Sequence, residues 1–456
     1  VRTRTLIGSF SAVLLAAAAF VAWDHAGVAR AEDNPNAQSN LGAPSSVNAP
    51  AAKAAPVATA TGAASADSDA IKRGLYLARA GDCIACHTAE GGKPFAGGLP
   101  LQTPFGKIVA SNITPDRQTG IGTWTDAEFI RAVKEGRGKH GEFLYPAMPY
   151  TAYAKVSDQD LRDIKAYLDT VPAVNNKVDA NQLPFPFNIR MLMFGWNLLF
   201  FHNAPFKNDD RQSVEWNRGA YLVEGLGHCA SCHTAKNFLG GDEAALQGGS
   251  LQGWYAPEIT GNPYTGLGKW STQDIVEYLH TGGNSRSVAS GPMAEAVTNS
   301  LQHLSPADLQ AVAVYLKSFP GSDRTAPAAL AANDPTMTLG HSLFMANCAA
   351  CHRSSGEGVT GMVSSLAQSA GVQAPDPTNM LRTILIGSRG AVTQSNPTGA
   401  AMPNFSWKLT DGDIAAISTY VRNSWGNAAA PVAADDVKKA RSSLGAQLAL
   451  GVAQAK

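Results

Sequence analysis

The sequence predicts an all-α chain made of three consecutive copies of one helical unit, and three observations carry that prediction. The six cysteines stand as Cys83-Ile84-Ala85-Cys86-His87, Cys229-Ala230-Ser231-Cys232-His233 and Cys348-Ala349-Ala350-Cys351-His352, three C-x-x-C-H motifs with none left over. Ahead of the first two run Arg73-Gly74-Leu75-Tyr76-Leu77 and Arg218-Gly219-Ala220-Tyr221-Leu222, and the third has Gly340 and Phe344. Behind each motif comes a segment of one frame, at 157–167, 305–315 and 410–420, that ends in Tyr. Self-similarity of this kind is the signature of a repeated supersecondary unit.

C-x-x-C-H is the attachment pattern of c-type haem: two thiols add across the vinyl groups of the porphyrin and the adjacent His reaches the iron from one face. Three short disulfides would suit an exported chain with an even cysteine count. Disulfides give no reason for the His. With ten His in 456 residues, the chance that one follows all three pairs is about one in a hundred thousand. Structural zinc needs four ligands, and these pairs lie more than a hundred residues apart. Three covalently bound haems c are therefore expected, held by Cys83, Cys86 and His87, by Cys229, Cys232 and His233, and by Cys348, Cys351 and His352.

The flanking segments read as helices. In the leading one Gly permits close approach of a neighbour and the aromatic residue packs inside. In the closing one Ser157, Ser305 or Thr410 is followed three residues on by Asp160, Asp308 or Asp413, a variant of the capping box, and Pro306 takes the first helical position. Apolar residues then share one face, as in Leu161, Ile164, Tyr167 and Leu168. Two helices crossing at a Gly and an aromatic, with haem between them, is the class I cytochrome c plan. It is expected in tandem at 70–172, 213–320 and 336–426.

The first two units also share Thr119-Gly120-Ile121-Gly122-Thr123-Trp124-Thr125 and Thr265-Gly266-Leu267-Gly268-Lys269-Trp270-Ser271, a stretch the third lacks. Their Trp side chains read as core, with an indole N–H that a haem propionate could satisfy. The sixth iron ligand follows by elimination. Met148 and Met293 are the only Met between the motif His and the end of units one and two, 61 and 60 residues after it. Of Met362, Met380 and Met402 in unit three, Met402 stands just ahead of the last helix and is followed by Pro403, as Met148 is by Pro149. His/Met ligation raises the reduction potential and closes the iron to substrate, which favours electron transfer over oxygen chemistry.

Charged residues are only 16% of the chain, and Lys+Arg balances Asp+Glu at 36 each, so no nucleic-acid partner is indicated. Residues 1–31 begin basic, continue in the apolar run 6–23 and end in Ala29-Arg30-Ala31, the pattern of a secretory signal. The run is also just long enough to remain as an N-terminal anchor. Either reading exports the rest. Residues 32–69, rich in Ala, Pro, Ser and Asn, read as a disordered linker. Residues 173–212 form an apolar linker whose run 191–201 is too short to cross a bilayer; it suits interdomain packing or a surface for a partner subunit, quinone or membrane. Residues 321–335 read as a linker and 427–456 as an Ala-rich tail with a weakly amphipathic helix at 435–450.

Together with the three motifs, Tyr145-Pro146-Ala147-Met148-Pro149-Tyr150, Leu183-Pro184-Phe185-Pro186-Phe187 and Trp216-Asn217-Arg218-Gly219-Ala220-Tyr221-Leu222-Val223 resemble the tri-haem cytochrome c subunits of membrane-bound periplasmic dehydrogenases of acetic acid bacteria. The resemblance covers nearly all of 70–426. It implies a subunit at the periplasmic face of the inner membrane that takes electrons from a separate catalytic subunit, with a small subunit as a further partner, and passes them to ubiquinone. Similar cytochromes serve pyrroloquinoline-quinone (PQQ) alcohol dehydrogenases, flavin-dependent gluconate, fructose or sorbitol dehydrogenases, and molybdopterin aldehyde dehydrogenases. Gly195-Trp196-Asn197-Leu198-Leu199-Phe200-Phe201 with Glu215-Trp216-Asn217-Arg218-Gly219 is most similar to the aldehyde type, whereas Ser424-Trp425-Gly426-Asn427 is equally similar to the alcohol type. An aldehyde dehydrogenase is the expected catalytic partner; a PQQ alcohol dehydrogenase, a flavin sugar dehydrogenase, or a free-standing periplasmic multihaem carrier is the alternative. The chain has no Rossmann glycine fingerprint, P-loop or nucleophile triad, so no catalytic residue is expected.

Overall fold

Residues 63–179 and 181–445 are described by a computed structural model; the expected export segment and most of the linker after it lie outside them. The first unit contains α1 (Ala63–Ala80), α2 (Asp126–Glu135) and α3 (Asp158–Leu168), and α4 (Leu192–Phe200) follows it. The second contains α5 (Val214–Tyr221), α6 (Thr272–Thr281), α7 (Pro292–Asn299) and α8 (Pro306–Lys317). The third contains α9 (Pro335–Asn347), α10 (Thr378–Ile386), α11 (Asp411–Arg422) and α12 (Ala434–Ser443). Single helical turns at Cys83–Cys86, Ala230–His233 and Ala349–His352 carry the cysteine motifs.

In each unit the leading and closing helices cross, α1 on α3, α5 on α8 and α9 on α11. A Cβ added at Gly74, Gly219 or Gly340 would lie 1.8, 2.0 or 2.2 Å from the carbonyl oxygen of Asp163, Ala311 or Ala416 on the facing helix. Only glycine lets the two backbones approach this closely. The Cβ atoms of Tyr167, Tyr315 and Tyr420 complete the same three crossings at 2.9, 2.8 and 2.6 Å.

The leading aromatic is buried to different depths in the three units. Phe344 is fully buried in the third core, four residues after its Gly, but Tyr76 and Tyr221 stand two residues after theirs and are only half-buried. Both rings pack at the edge of the core that units one and two share, and their hydroxyls bond to the other unit.

Nor is the chain wholly α. Short antiparallel strands pair Gly106–Val109 with Pro100–Thr103 on one side and Asn181–Gln182 on the other, Gly249–Leu251 with Trp254–Ala256, and Ser388–Arg389 with Ala401–Met402. Strands of two to four residues are too short for period-two alternation to show in a sequence.

Units one and two share one apolar core, which includes Leu77, Leu161 and Val156 from the first and Val223, Leu309 and Leu316 from the second. Trp124 and Trp270 are packed against it. The third unit has its own core around Phe344, Leu385 and Ile414. It meets the second through hydrogen bonds of Asn379 with both backbone groups of Tyr255 and of Tyr264 Oη with the Ala428 carbonyl. The described part of the expected tail, 427–445, belongs to this unit, and the rest lies outside the described residues: Val437 and Leu444 are buried in its core, and Arg441 pairs with Asp411 while donating to the carbonyls of Ser406 and Leu409. Among the described residues no helix is long and apolar enough to cross a membrane.

Candidate haem-attachment sites

All six thiols are unbridged. Burial pushes Cys83 and Cys229 up to about 12 and Cys86 and Cys348 up to about 11. Redox-active and metal-binding C-x-x-C pairs depend on the opposite shift, a lowered thiol pKa in electropositive surroundings. Among the described residues no group of three His, Cys, Asp or Glu gathers where it could hold a metal ion. Neither a dithiol switch nor a zinc site fits these surroundings; attachment of a porphyrin does.

The three motif histidines share one arrangement. Nδ1 of His87 lies 2.7 Å from the carbonyl oxygen of Ser111, Nδ1 of His233 lies 2.6 Å from that of Pro257, and Nδ1 of His352 lies 3.3 Å from that of Ser364. A carbonyl only accepts, so Nδ1 carries the proton and Nε2 keeps its lone pair for a metal; such a partner fixes the tautomer and orientation of a ligating His. Burial lowers the pKa of all three, against the opposing pull of the carbonyl, and favours the neutral ring that ligation requires.

The carbonyls are themselves held in place. In unit one the next residue, Asn112, accepts from the backbone and hydroxyl of Thr114 and donates to Thr119 and to the Val174 carbonyl. The matching residue of unit two is Glu258, whose carboxylate accepts from the hydroxyls of Thr260, Thr265 and Ser322, from the Ser322 amide and from Arg324. Burial alone would raise Glu258, yet these donors hold it below the usual range. The shared glycine stretch lies against this region: Ile121 and Leu267 donate to the carbonyls of Thr114 and Thr260. In unit three the Ser364 hydroxyl accepts from the Val288 amide of unit two.

Just ahead of the first two motifs, Asp82 (φ 47°) and His228 (φ 35°) adopt the left-handed conformation. This is uncommon outside glycine, although Asp and His tolerate it better than most residues. The expected sixth ligands stand in unlike settings. Met148 lies in a turn closed by Tyr150, Met293 in the first turn of α7 after Gly291, and Met402 in a ribbon paired with Ser388. Met148 and Met293 pack at the edge of the core that also receives Cys83 and Cys229, and Met402 at the edge of the one that receives Cys348.

The sequence reading missed Asn112, Glu258 and the three carbonyl partners. A signal for two of them was present: Ser111-Asn112-Ile113-Thr114 and Pro257-Glu258-Ile259-Thr260 begin at the same distance, 24 residues, from His87 and His233. The third carbonyl is only 12 residues from His352 and shares no such frame.

The Cytochrome c family matches residues 71–172, 217–320 and 337–425. The gluconate 2-dehydrogenase cytochrome c subunit of Pantoea cypripedii is 39% identical over 82% of this chain and 90% of its own length. The cytochrome c subunit of the alcohol dehydrogenase (quinone) of Gluconobacter oxydans (strain 621H) is 39% identical over 82% and 83%. The fructose dehydrogenase cytochrome subunit of Gluconobacter japonicus is 38% identical over 83% and 84%. With its repeated C-x-x-C-H turns, carbonyl-bound histidines and near full-length likeness to these proteins, the chain belongs to the cytochrome c family, among the cytochrome c subunits of dehydrogenases.

Proposed function

We propose that the chain is the electron-transfer subunit of a membrane-bound dehydrogenase complex, relaying electrons from a separate catalytic subunit through three covalently bound haems c to ubiquinone. The observation that carries this reading is the triple recurrence of an unbridged cysteine pair beside a His whose Nδ1 is occupied by a carbonyl. Each unit is a class I cytochrome c domain. Haem c, once bound, supplies reversible one-electron exchange at iron.

The residues have distinct tasks. Cys83 with Cys86, Cys229 with Cys232 and Cys348 with Cys351 fix the porphyrin by thioether bonds. His87, His233 and His352 through Nε2, and Met148, Met293 and Met402 through sulfur, would ligate the iron. The chain supplies no group for abstracting hydride from a substrate carbon, which needs a second cofactor on another subunit.

The relatives' names support the dehydrogenase partner, and the quinone in one of them supports the acceptor. Their near-equal identities do not rank one catalytic partner above another. The aldehyde dehydrogenase reading rests on 195–201 and 215–219 alone. Purifying the complex and identifying the cofactor of the catalytic subunit tests it: molybdopterin supports the aldehyde type, and PQQ or flavin replaces it with the alcohol or sugar type.

We also place the complex at the periplasmic face of the inner membrane, in accord with residues 1–31. Helix α4 supports a membrane-facing role. Its inner face joins units one and two, where Trp196 donates to the Leu239 carbonyl and Asn197 accepts from Tyr150. Its outer face leaves Leu198 77% and Leu199 63% exposed, beside Met191 at 68% and Phe185 at 79%. An apolar cluster of this kind suits insertion at a bilayer interface.

A further inference from the structure

The leading helices of the first two repeats carry Arg-Gly-x-Tyr, whereas the third has Leu339-Gly340-His341-Ser342 at those positions. The tyrosines leave their own units. Tyr76 of α1 accepts the backbone N–H of Ser305 at 3.1 Å and donates to the carboxylate of Asp308, both at the start of α8. Tyr221 of α5 answers in the opposite direction, accepting the N–H of Ser157 at 3.0 Å and donating to Asp160 at the start of α3.

Helix α11 shows what the phenols replace. There the N–H of Thr410 is taken by its own Asp413 at 2.9 Å, which closes a capping box within the helix. In α3 and α8 the Ser hydroxyl still caps the Asp backbone, but the neighbouring unit's phenol stands between cap N–H and carboxylate. Each unit thus completes the helix cap of the other. Reciprocal contact, in which the same patch serves both partners, is the mark of a two-fold related pair.

The contact brings the first two cysteine motifs together. Tyr153 is buried with its hydroxyl on the Gly81 carbonyl at 3.0 Å, and its ring stands edge-on to His228 at 5.6 Å. Gly81 lies two residues before Cys83, and His228 adjoins Cys229. Helix α7, which carries Met293, packs against the Cys83–Cys86 turn of the first unit. Unit three is docked by an unrelated set of bonds and takes no part in the exchange of caps.

We propose that Tyr76 and Tyr221 are positioning residues that hold the first and second haem sites as a fixed pair for direct electron exchange. In that exchange one electron moves, one site is oxidised as the other is reduced, and no bond is made or broken. The inference rests on the haem reading given above.

The test uses the full, haem-loaded chain as Tyr76→Phe, Tyr221→Phe and the double variant, with Ser342→Ala at the matching position of unit three as control. Each Tyr→Phe change removes one oxygen and leaves the ring, and the single variants serve if the double variant does not fold. Loss of a hydrogen bond to a carboxylate corresponds to about a tenfold rise in local opening, read as faster hydrogen exchange at the Ser157 and Ser305 amides. The expected result is intact haem content and visible spectrum, faster exchange at both amides, and severalfold slower electron equilibration between the first two haems after pulsed reduction. The control should match the parent. Faster amide exchange with unchanged inter-haem kinetics would leave the tyrosines a merely structural role and overturn the proposal, as would no change in either. Fewer than three haems on the parent chain would instead defeat the reading on which it rests.

Discussion

Thr265 donates its hydroxyl to the carboxylate of Glu258 at 2.7 Å, and Glu258 adjoins the Pro257 carbonyl that receives Nδ1 of His233. The first unit has a neutral Asn112 at that position. An ionised, fully buried side chain behind one haem site and an amide behind the other makes the two sites electrostatically unequal.

The folded-state pKa of Glu258 lies below its usual value. Its stabilisation is therefore complete above the unfolded pKa, about 4.3 for Glu, and is lost as pH falls through the lower folded value. Glu258→Gln should cost about 2 kcal/mol at pH 7, since several donors lose a charged acceptor, and should flatten the acid limb of the melting curve. Thermal melts of parent and variant between pH 3 and 7, followed at the haem bands, check this. Parallel acid limbs would show that other carboxylates govern it.

Gly74, Gly219 and Gly340 were legible from their place in the repeat, and the structure gives the reason in the crossings they permit. Gly74→Ala should destabilise the protein by about 1–3 kcal/mol through overpacking. A Cβ added at Gly195 in α4 would meet nothing within 4 Å beyond the helix's own backbone, and Gly195→Ala should stabilise by up to about 1 kcal/mol through helix propensity. Chemical denaturation distinguishes the two. Equal effects of both substitutions would contradict the crossing geometry.

Met148, Met293 and Met402 recur just ahead of each closing helix, in a turn, a helix and a ribbon respectively. Replacing any one with Ala should remove the iron–sulfur charge-transfer absorbance of one haem and lower its potential, because Met ligation raises it. Spectroelectrochemistry of the three variants is the check. An unaltered band and potential would assign that ligand elsewhere.

Local pattern made the motifs, closing helices and helix caps readable. Contacts between repeats were not readable in the same way. Tyr76 has the composition of a core residue, and only the placement of Ser305 and Asp308, more than two hundred residues on, gives its hydroxyl a partner. The 435–450 segment read as a tail for a similar reason: its apolar residues are few, but Val437 and Leu444 both meet the third core.

The outward residues of α4 predict a separable effect. Leu198→Gln with Leu199→Gln should leave haem content and spectra intact, since both side chains are mostly exposed, while releasing the protein from membranes. Fractionation should be run with and without residues 1–31, so that an N-terminal anchor does not mask the loss. Retained membrane binding in both forms would contradict a membrane-facing α4; loss of the catalytic subunit alone would make the face a protein interface.

The chain, on the reading proposed above, is an electron relay of three covalent haems with no catalysis of its own. Intact mass of the denatured chain, combined with an assay of the purified chain alone on aldehydes, alcohols and sugars with a quinone acceptor, tests it most directly. A mass excess of three haems, and no turnover until a catalytic subunit is added, is the expected result. Fewer than three haems from a host with complete attachment machinery, or substrate oxidation by the chain alone, would contradict it.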